Sequence, residues 1–499
     1  MTVTFAKDEQ NQLISLLQAL NIRWAKRALS LWRGDATNSD PDAIYADFES
    51  ILTRDAISSS LEISDKKVRT RVRHGLIDHY LQRSLMPHEA EMQAWSRGAV
   101  AHVDGEKIRF QHVLPWCQKS STLLKRQKLQ QETGPLCKLL KPFAVNYWRI
   151  LLDLLTEELG FDGYIDYCSQ KKGIDYTRLY HSMKKHLLDT DALYFHLMEG
   201  WSRDRFGVSM KDLNRFDGIY LLSLSQWDAL CPLEHPESTL MFFSRWGIEC
   251  THLPGLHLDV KAAAEKSSQA MTLMVQIPQE IHLLMRPEGG WIDVETLWHE
   301  LGHGLSGSFT DPALSIVDRE LSTTFSLSEV FAFLLQRLAL STPVLSDVMR
   351  VPQDVARTIG HYKNVKDLAV FRRYAAKFVS EYEMFTRGDV ADGNAYADTM
   401  ARYTGFYHQP ESHLFDLVPE FYCADYLLGW LGEAMFGEQM AAQFGQDWCL
   451  SSAAGEKLKG FWRQGYAEDL FSFFEKNGFG AISAGPLRKR WSRLSSVHA

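Results

Sequence analysis

Apolar residues recur every three to four positions over most of the first 215 residues, the spacing of one helix face. Leu13, Leu16, Leu17 and Leu20 form one such stripe, and Trp148, Leu151, Leu152, Leu155 and Leu159 form another. The pattern breaks at Val103–Phe110, where apolar and polar residues alternate around Asp104-Gly105, a hairpin signal. It changes again between 250 and 290. Leu256, Leu258 and Val260 alternate with polar positions, and two β-prone runs, Met271–Ile277 and Ile281–Arg286, are separated by Pro278-Gln279. These predict a small antiparallel sheet. Helical spacing resumes at Val294 and continues to the end. The chain reads as mainly α, with one small sheet just ahead of that point. A weak change of texture near Asn214–Gly218 divides an N-terminal helical lobe, 1–215, from a second lobe, 216–499.

Composition narrows the classes. At 499 residues and 45% hydrophobic, the chain can bury a sizeable core without disulfides. The balance of 54 Lys+Arg against 62 Asp+Glu, a net charge of −8, argues against a protein that coats nucleic acid. Seven cysteines, with no pair at CxxC spacing, read as reduced thiols in a cytoplasmic protein. No apolar run reaches the ~18–20 residues of a membrane span, and Met1–Gln10 has no secretory h-region. Nucleic acid and membrane are therefore not expected partners; oligomeric state is not legible. The basic stretch Lys66–Arg73 reads as a solvated helix face and Arg488-Lys489-Arg490 as part of a mobile tail.

The chemistry lies in Trp298-His299-Glu300-Leu301-Gly302-His303. His299 and His303 are four apart, so on a helix both imidazoles leave the same face. That spacing suits one Zn²⁺ held at about 2.0–2.1 Å. Glu300, about 100° around the helix, is placed to take a proton from a water activated by the metal. The plain alternative is a structural helix with two buried histidines. The elongated HExxHxxGxxH form is excluded, because Ser306 and Phe309 stand at its further positions. A glutamate on a following helix is the usual third ligand. Glu329, opening an apolar helix after Ser326 and Ser328, is preferred to Glu320 in the charged turn Asp318-Arg319-Glu320. A carboxylate in a buried first turn needs a partner for its charge.

Val294–His303 resembles the signature of the thimet oligopeptidase and oligopeptidase F family of zinc metallopeptidases. A second block, Phe421–Ala434, resembles that family's tyrosine-bearing helix. The resemblance implies one Zn²⁺ per chain held by His299, His303 and Glu329, with Glu300 as general base. Tyr422 and Tyr426 fall on the positions that bind the oxyanion and the substrate backbone. It further implies two helical lobes around a deep substrate channel, with short peptides as substrates. An edge strand of the small sheet would pair with the peptide, through Thr272–Ile277 (Thr272, Val275 and Ile277 included) or Ile281–Arg286. There are departures. Gly429 replaces a common third tyrosine, and Leu417 replaces a histidine, for which His408 or His413 are substitutes. The alternatives are a carboxypeptidase Taq-like zinc exopeptidase and a non-catalytic peptide-binding protein that keeps the fold.

Overall fold

The computed structural model describes residues 7–35, 41–120, 122–263 and 265–496. The long helices are α1 (Lys7–Arg33), α2 (Lys66–Gly98), α3 (Leu123–Asp153), α4 (Tyr176–Phe206), α5 (Trp291–Ser308), α6 (Ser326–Ala339), α7 (Gln353–Arg387) and α8 (Tyr422–Phe444). Aspartates start two of them: Asp65 accepts from the Val68 amide and Asp175 from the Arg178 amide, each at 2.9 Å. The Asp104-Gly105 hairpin forms as the alternation predicts, β1 (Val100–Val103) pairing antiparallel with β2 (Glu106–Arg109).

The sheet beside the histidine helix is mixed. Its strands β3 (Leu256–Val260), β4 (Met271–Gln276) and β5 (Glu280–Met285) take the order β3-β5-β4. β4 and β5 form the expected antiparallel pair, but β3 lies parallel to β5, with Leu256 opposite Ile281 and Val260 opposite Met285. The order has a consequence for the strand-pairing expectation. β5 is paired on both sides, so Ile281–Arg286 cannot accept a peptide strand; β4 is the edge next to α5.

One apolar cluster runs from Leu13 to Leu494. Leu297, Trp298, Leu301 and Leu305 of α5 meet Val330, Phe331, Leu334 and Leu335 of α6, and Leu427, Leu428 and Leu431 of α8 join the same core. The three helices approach closely because glycines sit at the crossings. A Cβ on Gly302 would lie 2.4 Å from the Ala332 Cα, and one on Gly429 would lie 2.6 Å from the Glu329 Cβ. The residue that departs from the tyrosine pattern is thus the one that lets α8 lie flush against Glu329.

Two basic segments are more ordered than their composition suggests. Arg71 is buried, with Nη1 2.8 Å from the Val317 carbonyl oxygen and a further bond to that of Tyr466. Arg490 lies on a helix, Gly485–Ser492, and bonds both oxygens of Glu433 at 2.7 and 2.9 Å. The cysteines among the described residues are free thiols, and no helix there is long and apolar enough to cross a membrane.

Candidate metal centre

α5 carries His299 and His303 one turn apart, and α6 presents Glu329 opposite them. One ligand atom from each of the three lies within 4.8 Å of the others. The Nε2 atoms of His299 and His303 stand 3.6 and 3.7 Å from the two Glu329 oxygens, close to the ~3.3 Å edge of a tetrahedral site with ~2.0–2.1 Å bonds. Both rings are aimed from behind. Gln336 Oε1 lies 2.9 Å from His299 Nδ1, and Ser328 Oγ lies 2.7 Å from His303 Nδ1. Those contacts leave each Nε2 directed at the glutamate, the arrangement by which outer partners orient metal-binding imidazoles.

Burial sets the protonation states. It pushes His299 down to about 4, against a smaller opposing effect of the Gln336 contact, and holds His303 well below its ordinary value, with His299 adding to the effect. Both rings are therefore neutral at pH 7, as ligands must be. Burial pushes the Glu329 carboxyl well above its usual range, although the Tyr422 hydroxyl donates to Oε1 at 2.7 Å. The other oxygen, Oε2, is buried without a hydrogen-bond partner. An orphaned carboxylate oxygen facing two neutral imidazoles is the environment a divalent cation completes. Two nitrogens and one carboxylate suit a borderline transition metal better than Mg²⁺ or Ca²⁺, which prefer all-oxygen shells.

Glu300 points to the strand side. The Thr272 hydroxyl on β4 lies 2.8 Å from its backbone oxygen and 2.9 Å from its Oε2. Burial raises the Glu300 carboxyl to about 7, with the Thr272 contacts working against it. Thr272 is thus committed to Glu300. Val275 and Ile277 are buried, and the Ile277 carbonyl accepts from Arg319 at 3.0 Å.

The start of α8 is held under strain. Glu420 and Phe421, neither a glycine, have φ of 61° and 49°, a conformation that costs about 1–3 kcal/mol per residue unless its surroundings impose it. Lys171 bonds the Glu420 carboxylate and Lys172 its carbonyl, each at 2.6 Å. Lys172 also reaches Asp425 Oδ2 at 2.5 Å, while Thr324 and Ser326 donate to Asp425 Oδ1 at 2.6 Å. Asp425 therefore ties the start of α6 to α8. That tie sets Tyr422 on Glu329 and puts the Tyr426 ring 6.4 Å from that of His299 and 4.9 Å from that of Tyr422.

The sequence candidates divide accordingly. His299, Glu300, His303, Glu329, Tyr422, Tyr426 and Thr272 converge. Glu320 does not join them: its side chain is largely covered and accepts from Gln18 at 2.8 Å. His413 does not join them either. Its Nδ1 and Nε2 lie 2.9 and 3.0 Å from the carbonyls of Pro410 and Val390, so it braces its own loop. His408 is similarly tied to the Phe406 carbonyl at 2.9 Å. Sequence reasoning missed Gln336, the role of Ser328, and Tyr466. The Tyr466 phenol lies 3.7 Å from Met274 Sδ and within reach of Ser328. Gln336 had a signal, one face of α6 shared with Glu329 at i+7; Tyr466 had none.

No protein-family model matches the sequence, and no curated protein is similar to it. The fold does have a solved counterpart. The structure of Pyrococcus furiosus carboxypeptidase in its apo-Mg form matches with a TM-score of 0.57, over 98% of this chain and 100% of that one, at 12% identity. The chain shares the fold of that structure. At that identity the likeness speaks for architecture alone, and the chemistry rests on the residues above.

Proposed function

We propose that the chain is a zinc-dependent metallopeptidase acting on short unfolded peptides. The observation that carries this reading is the convergence of His299, His303 and the orphaned Glu329 oxygen, with Glu300 alongside. Zinc, when bound by the three side chains, supplies a Lewis acid that polarises the scissile carbonyl and acidifies water. Glu300, anchored by Thr272, accepts a proton from the attacking water and returns it to the leaving amine. Tyr422 is engaged with Glu329, which leaves Tyr426 as the better-placed donor to the oxyanion. The outer edge of β4 is the place for the peptide backbone, since β5 is paired on both sides.

Two modes of attack remain distinct. The oligopeptidase resemblance favours internal cleavage of peptides bound in a channel between helical lobes. The fold shared with a carboxypeptidase favours release of C-terminal residues. Incubation with a mixed peptide library, with and without chelator and read by mass spectrometry, separates them. Internal fragments support the first, and single-residue ladders from the C-terminus support the second. Chelator-insensitive cleavage overturns the zinc dependence, and no cleavage by zinc-loaded protein overturns the peptidase reading and leaves a peptide-binding protein.

A further inference from the structure

Beyond the C-terminal end of α6, a cavity of about 450 Å³ opens between that end, the first half of α7 and the C-terminal helix. Arg337, Arg357, Lys363 and Arg490 line it, and its described lining contains no aspartate or glutamate. That is unusual in a chain of net charge −8. Carboxylates reach these cations only from behind the wall, and they are shared unequally. Arg490 takes both oxygens of Glu433 at 2.7 and 2.9 Å, leaving Arg337 3.8 Å from the same carboxylate. Lys363 sits against Asp367, which Arg337 meets at 3.4 Å. Arg337 is thus second in line at both of its acids, and its closest acceptor is the neutral amide of Asn364, at 3.1 Å.

Burial, and then the charge of Arg490, push Arg337 down to about 10, the mark of a guanidinium beside a like charge without full compensation. Arg337 and Arg490 lie in the last turns of their helices, where positive charge offsets the dipole. That explanation does not extend to Arg357, in the second turn of α7. Arg357 is exposed, and its one hydrogen bond among the described residues is from Nε to the Gln353 carbonyl, at 3.3 Å.

We propose that this cavity binds a dianionic phosphate group, free or as the monoester of a small metabolite, with Arg337 and Arg357 as its principal donors. Paired guanidinium forks match phosphate oxygens in charge and geometry. The cavity is large enough for an ester as well as the free anion, and the chemistry of recognition is common to both.

Isothermal titration of the zinc-loaded protein with inorganic phosphate, AMP and adenosine tests this. Phosphate or AMP should bind saturably at one site per chain, and uncharged adenosine should not. Tighter binding of AMP than of phosphate would identify an ester as the natural source, and equal binding free phosphate. Arg337→Gln should weaken binding about tenfold or more, and Arg357→Gln about three- to tenfold. Arg357 is exposed, so its variant keeps the fold and decides the matter even if Arg337→Gln does not. No saturable binding of either anion at millimolar concentration, adenosine binding as well as AMP, or unchanged affinity in Arg357→Gln would overturn the proposal.

Discussion

Two buried ionic clusters flank α8, and they are completed in opposite ways. Around Asp425, one carboxylate meets Lys172 and two hydroxyls, with both of its oxygens bonded. Around Glu329, one carboxylate meets a single phenol and two imidazoles that burial keeps neutral, and one of its oxygens has no partner. The first cluster is self-sufficient and holds helices in register. The second leaves a buried carboxylate oxygen facing two neutral rings. Burial alone does not mark a functional site; uncompensated burial at ligand spacing does.

The largest expected effect separates the site from its supports. Glu300→Gln should keep zinc and fold while lowering turnover about 10²–10⁴-fold, because an amide cannot accept the proton; steady-state kinetics and metal analysis on one preparation check this. Full activity would remove Glu300 from the chemistry.

Next, Lys172→Met should destabilise the protein by about 3–5 kcal/mol by stranding a buried carboxylate, in metal-free protein as well as in zinc-loaded protein. A loss seen only in zinc-loaded protein would merge the two clusters into one. Tyr426→Phe should lower kcat by an amount on the order of 10²-fold with little change in KM. Tyr422→Phe should instead weaken metal retention, since its hydroxyl holds Glu329. Equal phenotypes for the two tyrosines would erase that distinction.

Gly429→Ala probes the crossing itself. A methyl 2.6 Å from the Glu329 Cβ should cost about 1–3 kcal/mol and weaken zinc binding, read by thermal unfolding and metal titration.

A last prediction concerns histidines elsewhere. Burial lowers His74 to about 3, and His79, His186 and His408 to about 4. Their folded values lie below the unfolded value near 6.5, so the stability they confer is present above about pH 6.5 and is lost as pH falls toward 4. Each should contribute about 2 kcal/mol of that loss by pH 5, measured as a falling Tm. These rings share depressed values with His299 and His303 but face no orphaned carboxylate. A Tm independent of pH between 7 and 5 would show that burial is not what keeps them neutral.

What was legible in the sequence follows from the range of each interaction. His299, Glu300 and His303 lie within one helical turn, so spacing alone places them together. Glu329 was within reach because an apolar helix with a carboxylate in its first turn poses a problem that a cation solves. The parallel seating of β3 on β5 was not legible, since nothing in either strand encodes its partner's direction. Nor was the commitment of His413 to two backbone carbonyls, which depends on how the loops at 390 and 410 meet. Arg71 and Arg490 misled for the same reason: a run of basic residues looks solvated until the distant groups that bury it are known. Gly429, an apparent loss in the tyrosine block, became intelligible only when Glu329 was found against it.

The most direct test of the central claim is thermal unfolding of chelator-treated protein before and after one equivalent of zinc, in wild type and in Glu329→Gln. If zinc completes the cluster, it should raise the wild-type Tm by several degrees through linkage. The variant should be no less stable than wild type without metal and should gain little on adding it. A wild-type Tm unmoved by zinc, or an equal rise in Glu329→Gln, would contradict the assignment of His299, His303 and Glu329 as the metal centre.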